Sequence, residues 1–132
     1  MTSHVAVIAD LHNELVNRTC APNPELIARV SQVLLDDTFK KTWLTIIARR
    51  RPLAAALLWS RIADQLSGPA RLEALALAAT CAFHGGSTAI AANLITAADV
   101  TARRYTNIAY PPMLTALKFE RQIRTYLGLS DR

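Results

Sequence analysis

Cys81 and His84 stand three residues apart in Cys81-Ala82-Phe83-His84, which on a helix puts a thiol and an imidazole on one face. Such a pair can give two ligands to zinc or, once the thiol ionises, a nucleophile beside a base. Structural zinc takes four ligands, however, and the other candidates, His4, His12 and Cys20, are scattered without a second close pair. For nucleophilic work Cys81 lies inside an apolar run, where burial raises a thiol pKa and suppresses thiolate. The pair is read as a core cysteine beside a turn histidine. Gly85-Gly86 has neither of the glycine spacings that cradle phosphates, so both glycines are read as a helix turn. Ser60, Ser67 and Ser87 lack the context of a strained nucleophile elbow.

Asp10-Leu11-His12, at the end of Val5-Ala6-Val7-Ile8-Ala9, resembles the first metal-binding motif of calcineurin-like phosphoesterases. That resemblance implies a two-metal centre completed by further carboxylate, asparagine and histidine ligands on glycine-rich loops. None of those loops follows, and His84 is the one imidazole downstream of His12. Asp10 and His12 are therefore assigned to helix-face packing and solvation. No catalytic, cofactor-binding or metal-ligating residue is expected, and the chain is read as a non-enzyme.

The remaining chemistry is electrostatic. Lys40, Lys41, Arg49, Arg50 and Arg51 form the densest basic cluster and are the candidate nucleic-acid contacts. The net charge of +5 is unevenly placed: residues 37–68 carry six basic and two acidic groups, residues 1–36 two and four, and residues 69–132 seven and four. A basic middle suits an acidic partner, although charge alone speaks to association and solubility rather than to a defined site.

The elements that must hold these groups are helical. A first helix is expected from about Ser3 to Arg18, capped by Ser3, with Val5, Ile8, His12 and Leu15 on one face. Asn23-Pro24 opens a second helix with Leu26, Val30, Val33 and Leu34 inward, ending near Asp36. Asp37 or Thr38 then caps a third, with Phe39, Trp43, Ile46 and Ile47 on its inner face and Lys40 and Lys41 toward water. Pro52 disfavours helical geometry at Arg51 and starts the next helix, in which Ala55, Trp59, Ile62 and Leu66 share a face and Ser67-Gly68-Pro69 makes an exposed turn.

From Ala74 to Ala98 there are 25 residues without a formal charge, a length that raises the question of a membrane span. His84-Gly85-Gly86-Ser87-Thr88 interrupts the run, and alanine rather than leucine dominates both halves. The reading is a buried helical hairpin, Leu72 to Phe83 and Thr88 to about Val100, packed through Ala78, Ala79, Ala82, Ala91 and Leu94. A last helix follows Pro111-Pro112 with Ala116, Phe119, Ile123 and Leu127 inward, Lys118, Arg121, Gln122 and Arg124 toward solvent, and Gly128 at its end.

Length and composition agree with this picture. A chain of 132 residues, 52 % hydrophobic, can bury roughly two-thirds of its unfolded surface around one core. Four glycines are too few for an all-β chain of many short strands. With two cysteines and no signal-like N-terminus, a reducing, cytoplasmic setting without a Cys20–Cys81 disulfide is expected.

Leu34-Leu35-Asp36-Asp37, Ala56-Leu57-Leu58-Trp59 with Ile62-Ala63, and the helical pair carrying Leu75, Ala78, Ala79, Gly86, Ala91, Ala98 and Tyr105 together form a pattern. It resembles the C-terminal region of an uncharacterised family of actinobacterial proteins, catalogued only as a domain of unknown function. The pair also resembles one tetratricopeptide-type helix–turn–helix unit, with small residues at Ala79, Ala91 and Ala98 around Gly86. The chain departs from the family at Ser87, where an acidic residue is usual, and at Ala102-Arg103, where Asp-Pro usually precedes the tyrosine. The resemblance implies a fold but brings no activity.

The expectation is therefore an all-α chain of about six to seven helices in one compact orthogonal or solenoid-like bundle containing a tetratricopeptide-like hairpin. Residues 1–132 make a single domain, with 1–36 as a helical lead and 37–132 as the family-like core. Its expected role is a non-enzymatic interaction module acting through a protein partner or self-association, without cofactor or membrane. The alternative is a small basic nucleic-acid-associated accessory or regulatory protein.

Overall fold

A computed structural model describes residues 4–17, 23–105 and 109–128. Seven α-helices appear among them: α1 (His4–Asn17), α2 (Pro24–Val33), α3 (Asp37–Thr42), α4 (Pro52–Asp64), α5 (Gly68–His84), α6 (Thr88–Arg104) and α7 (Pro112–Tyr126). Between α3 and α4 the coil widens into a π-helical turn, Trp43–Ala48. No strand occurs among the described residues, and the architecture is an all-α bundle. No helix among them is long and apolar enough to cross a membrane.

The bundle is organised around α5. Every residue from Ala74 to Phe83 is buried, because α4, α6 and α7 all pack against this one helix. A helix enclosed on all sides must be apolar all round, which accounts for the charge-free run from Ala74. Three-residue links, Gln65–Ser67 and Gly85–Ser87, join α4 to α5 and α5 to α6. Links that short leave consecutive helices antiparallel and adjacent. Ala78, Ala79, Ala82, Ala91 and Ala98 are all inaccessible to solvent, so small side chains set the α5–α6 approach.

The turn between these helices is satisfied bond by bond. Ser87 N donates to Ala82 O at 3.0 Å and Gly86 N to Phe83 O at 3.0 Å, the paired closure that terminates a helix through a left-handed residue. Gly86 is that residue, with φ 86°, while Gly85 keeps an ordinary φ of −80°. Ser87 then caps α6, its hydroxyl accepting from Ile90 N.

α1 and α2 close one side of the same core through Val7, Leu11, Leu15, Leu26, Ile27, Val30 and Val33. The Asn23 carboxamide caps α2, accepting from Leu26 N at 2.8 Å, and Asp36 caps α3, accepting from Thr38 N at 2.8 Å. Beneath α3, Trp43 and Trp59 meet edge to face at 5.6 Å, with Phe39 against Trp59 at 6.4 Å. Arg71 ties the far end, donating to Ala63 O at the close of α4 and to Thr101 Oγ1 on α6.

Several sequence expectations are corrected here. The inner face of α1 is Val7, Leu11 and Leu15 with Ile8 partly buried beside them, so Ile8 and Leu15 lie inward as expected while Val5 and His12 are exposed. α2 ends at Val33 rather than near Asp36, and the α3 cap is Asp36 rather than Asp37 or Thr38. Ile46 is exposed because the π turn takes more residues per turn, so each turns through a smaller angle than in an α-helix and Ile46 falls off the face that Phe39 and Trp43 share. Gly68 is buried and opens α5 at φ 62°, so only Ser67, outside the helix, and the exposed Pro69 keep the exposure expected of this stretch. α7 faces the core through Leu114 and Leu117, whereas the expected inner residues Ala116, Phe119, Ile123 and Leu127 are exposed. Ser3, Arg18, Cys20 and the side chain of Ile47 lie outside the described residues.

Candidate interaction site

The five basic residues singled out in the sequence do not act as one group. Lys40 is 6 % exposed, and its Nζ donates to Glu73 Oε2 at 2.8 Å and lies 3.3 Å from Asp37 Oδ1. It sits on the side of α3 turned toward α5, where its aliphatic stem is covered and its ammonium meets a largely covered carboxylate. Lys40 is therefore withdrawn from the candidate nucleic-acid contacts. Lys41 is exposed on α3, and Arg49, Arg50 and Arg51 are exposed where the π turn gives way to α4. No carboxylate among the described residues pairs with these three arginines.

The arginine corner overlooks three hollows. One of about 620 Å³ runs between α1 and α4, lined by Glu14, Leu15, Arg51, Ala54, Leu57, Leu58 and Arg61. A second, of about 360 Å³, is lined by His12, Leu15, Val16, Ile46, Arg50 and Arg51. Because both share Leu15 and Arg51, they form one trough along α1 with an apolar floor and a cationic edge. On the other side of the corner a hollow of about 460 Å³ is lined by Arg49, Thr80, Cys81 and His84, among others.

Cys81 in that last hollow is a poor nucleophile. Burial pushes its thiol up to about 12, with the neighbouring Trp43 side chain pulling weakly the other way, so the sulfur stays protonated at neutral pH. His84 is exposed, its ring edge-on to Phe83 at 5.7 Å. Asp10 is ion-paired with Arg29 and His12 lines the trough. Among the described residues no cluster of three or more histidine, cysteine or acidic side chains is placed to hold a metal ion.

One polar cluster escaped the sequence reading. Tyr110 Oη donates to Asp99 Oδ1 at 2.7 Å, Lys118 Nζ donates to the same carboxylate at 2.9 and 3.0 Å, and the ammonium lies 4.8 Å from the Tyr110 ring centroid. Burial pushes the Asp99 carboxyl up, but the hydrogen bonds from Tyr110 and Lys118 and the charges of Lys118 and Arg103 outweigh it and hold the group below its ordinary value. Burial and the bond to Asp99 raise the Tyr110 phenol, and Lys118 is raised by its contacts with Tyr110 and Asp99. Each group is thus fixed in its ordinary neutral-pH charge state, which suits a clamp holding α7 to α6 and does not suit proton transfer. Its members are 11 and 19 residues apart in sequence, and no local spacing signals them.

The second open surface is the outer face of α7. Phe119 is 64 % exposed and Tyr126 88 %, with Ile123 and Leu127 on the same side. Spacing of four, three and one residues places the four in one stripe. Arg124 lies 5.4 Å from the Phe83 ring and so anchors the opposite flank to α5.

These features define an all-α bundle with a closed core, a cation-edged trough on one side and an apolar helix face left uncovered. No protein-family model, no curated protein and no solved structure matches the chain.

Proposed function

We propose that the chain is a non-enzymatic helical interaction module working through a protein partner or self-association. The observation carrying this reading is the outer face of α7: an amphipathic helix spends its larger apolar stripe, Phe119, Ile123, Tyr126 and Leu127, on solvent. Contiguous exposed apolar faces of this kind mark contact surfaces, and an amphipathic helix is a standard way to present one. The protonated Cys81 thiol and the locked charges of Asp99, Tyr110 and Lys118 support the non-enzymatic part. The tetratricopeptide-like character of α5–α6 and the kinship with the actinobacterial family belong to the same proposal, resting on Gly86 at the turn and buried Ala79, Ala91 and Ala98.

Light scattering across a concentration series, paired with capture experiments, tests it in the wild type and in Phe119→Ser/Ile123→Ser. The double variant should lose association while melting within about 0.5 kcal/mol of the parent, since both side chains are exposed. A wild type that stays monomeric and captures nothing α7-dependent overturns the reading. A second reading, association with nucleic acid, is favoured by the exposed Arg49, Arg50 and Arg51, which have no carboxylate partner among the described residues, and Lys40 is lost from it. Affinity for DNA or RNA that falls steeply with salt and vanishes when the three arginines become Ala is its signature.

A further inference from the structure

We infer that the trough between α1 and α4 docks an amphipathic helical segment of another protein whose apolar face is flanked by acidic residues. The trough is a surface separate from the α7 stripe, so this goes beyond the reading above and can fail independently of it.

The floor comes first. Leu15 and Leu58 are buried at the bottom, while Leu57, Val16 and Ile46 stand along it exposed. Large apolar side chains lining a concavity, with water against them, suit the insertion of a partner's side chains at one or two helical turns. The rim then selects the partner's charge. Arg50 and Arg51 lack a carboxylate among the described residues, whereas Arg61 and Glu14, the other charged side chains in the lining, already have partners within the protein.

A purely apolar partner would cover the Arg50 and Arg51 guanidinium groups without pairing them, which is unfavourable. A nucleic-acid backbone would pair with them but leave the apolar floor unmatched, and no Phe, Tyr or Trp lines the trough to stack a base. A second copy presenting α7 brings no free carboxylate to the rim, because Glu120 is the one acid of that helix and it is ion-paired with Arg124. An acidic amphipathic helix satisfies floor and rim together, with bidentate arginine–carboxylate contacts fixing its register.

The test titrates the full chain with a panel of fluorescent amphipathic peptides, identical in design but with glutamate, glutamine or lysine beside varied Leu, Ile, Met and Phe anchors, and with single- and double-stranded oligonucleotides. Binding should be confined to glutamate peptides. It should weaken about tenfold or more in Arg50→Glu/Arg51→Glu and in Leu57→Asp, and be unchanged in Phe119→Ser/Ile123→Ser. All of these substitutions are at exposed positions, and thermal melts confirm that the variants are folded. No binding by any glutamate peptide overturns the proposal, as does equal binding by the glutamine or lysine versions, or arginine-dependent binding of oligonucleotide tighter than any peptide. Loss of the α7-dependent association alone leaves the trough standing.

Discussion

Deleting the Lys40 ammonium would leave the Glu73 carboxylate, 12 % exposed, without that partner between α3 and α5, at a cost of about 1–3 kcal/mol. Lys40→Met should therefore lower denaturation midpoints sharply, whereas Lys40→Met/Glu73→Leu, which replaces the pair by apolar volume, should recover most of the loss. Chemical denaturation of the two variants beside Lys41→Met, an exposed neighbour, checks this. Equal stability of all three would remove the buried pair from the account. Lys40 was misassigned in the sequence because a lysine next to a lysine reads as solvated face. The partner that reverses the assignment lies 33 residues away, on a helix whose position no local pattern gives. Cys81, by contrast, was legible, since its neighbours are apolar on both sides and its burial follows from theirs.

At the scale of elements the α5–α6 hairpin is the most constrained. Gly86→Val forces a β-branched side chain into φ 86° and should cost on the order of 1 kcal/mol or more. At Gly85 the backbone is relaxed, but a Cβ there would meet Leu53 Cδ2 at 2.8 Å, so Gly85→Val also destabilises unless Leu53 swings away. Ala91→Leu should overpack the hairpin by roughly 1–3 kcal/mol. Thermal melts beside Gln122→Ala decide it, and unchanged melting for all three would mean that the turn tolerates what its geometry forbids. The α6–α7 clamp makes a prediction in pH. Asp99 has its folded pKa depressed, so its contribution is present above the unfolded value near ~3.9 and is lost as pH falls through the folded one. Lys118 is raised, so its contribution is full below about 10.4 and is lost as pH rises through the folded value. Asp99→Asn should flatten part of the acid limb of a stability–pH curve and Lys118→Met part of the alkaline limb. Matching wild-type and variant curves would remove the clamp. The hairpin was readable because alanine spacing and paired glycines determine it locally. The faces of α1 and α7 were not, because each carries two apolar stripes and only tertiary neighbours choose between them: α5 takes Leu114 and Leu117 and leaves the larger stripe outside.

For the whole molecule, the all-α class was legible from glycine scarcity and helical periodicity, and the basic bias of residues 37–68 was legible from counting. What counting cannot give is where charge meets shape. The π turn carries Arg50 and Arg51 to the edge of a trough whose other wall, α1, lies some 35–40 residues earlier in the chain. The encirclement of α5 bears on the order in which the bundle comes apart. Amides from Ala74 to Phe83 can exchange with solvent only when the surrounding helices separate, so their exchange should report global opening, at the highest free energy in the chain. α7, held by two buried leucines and a partly exposed clamp, should exchange through a local opening of lower free energy. Hydrogen–deuterium exchange read helix by helix would show that ladder, and uniform protection across α5 and α7 would contradict it. With the ladder in place, α7 can lift away while the interior stays intact, and the clamp sets how often it does so.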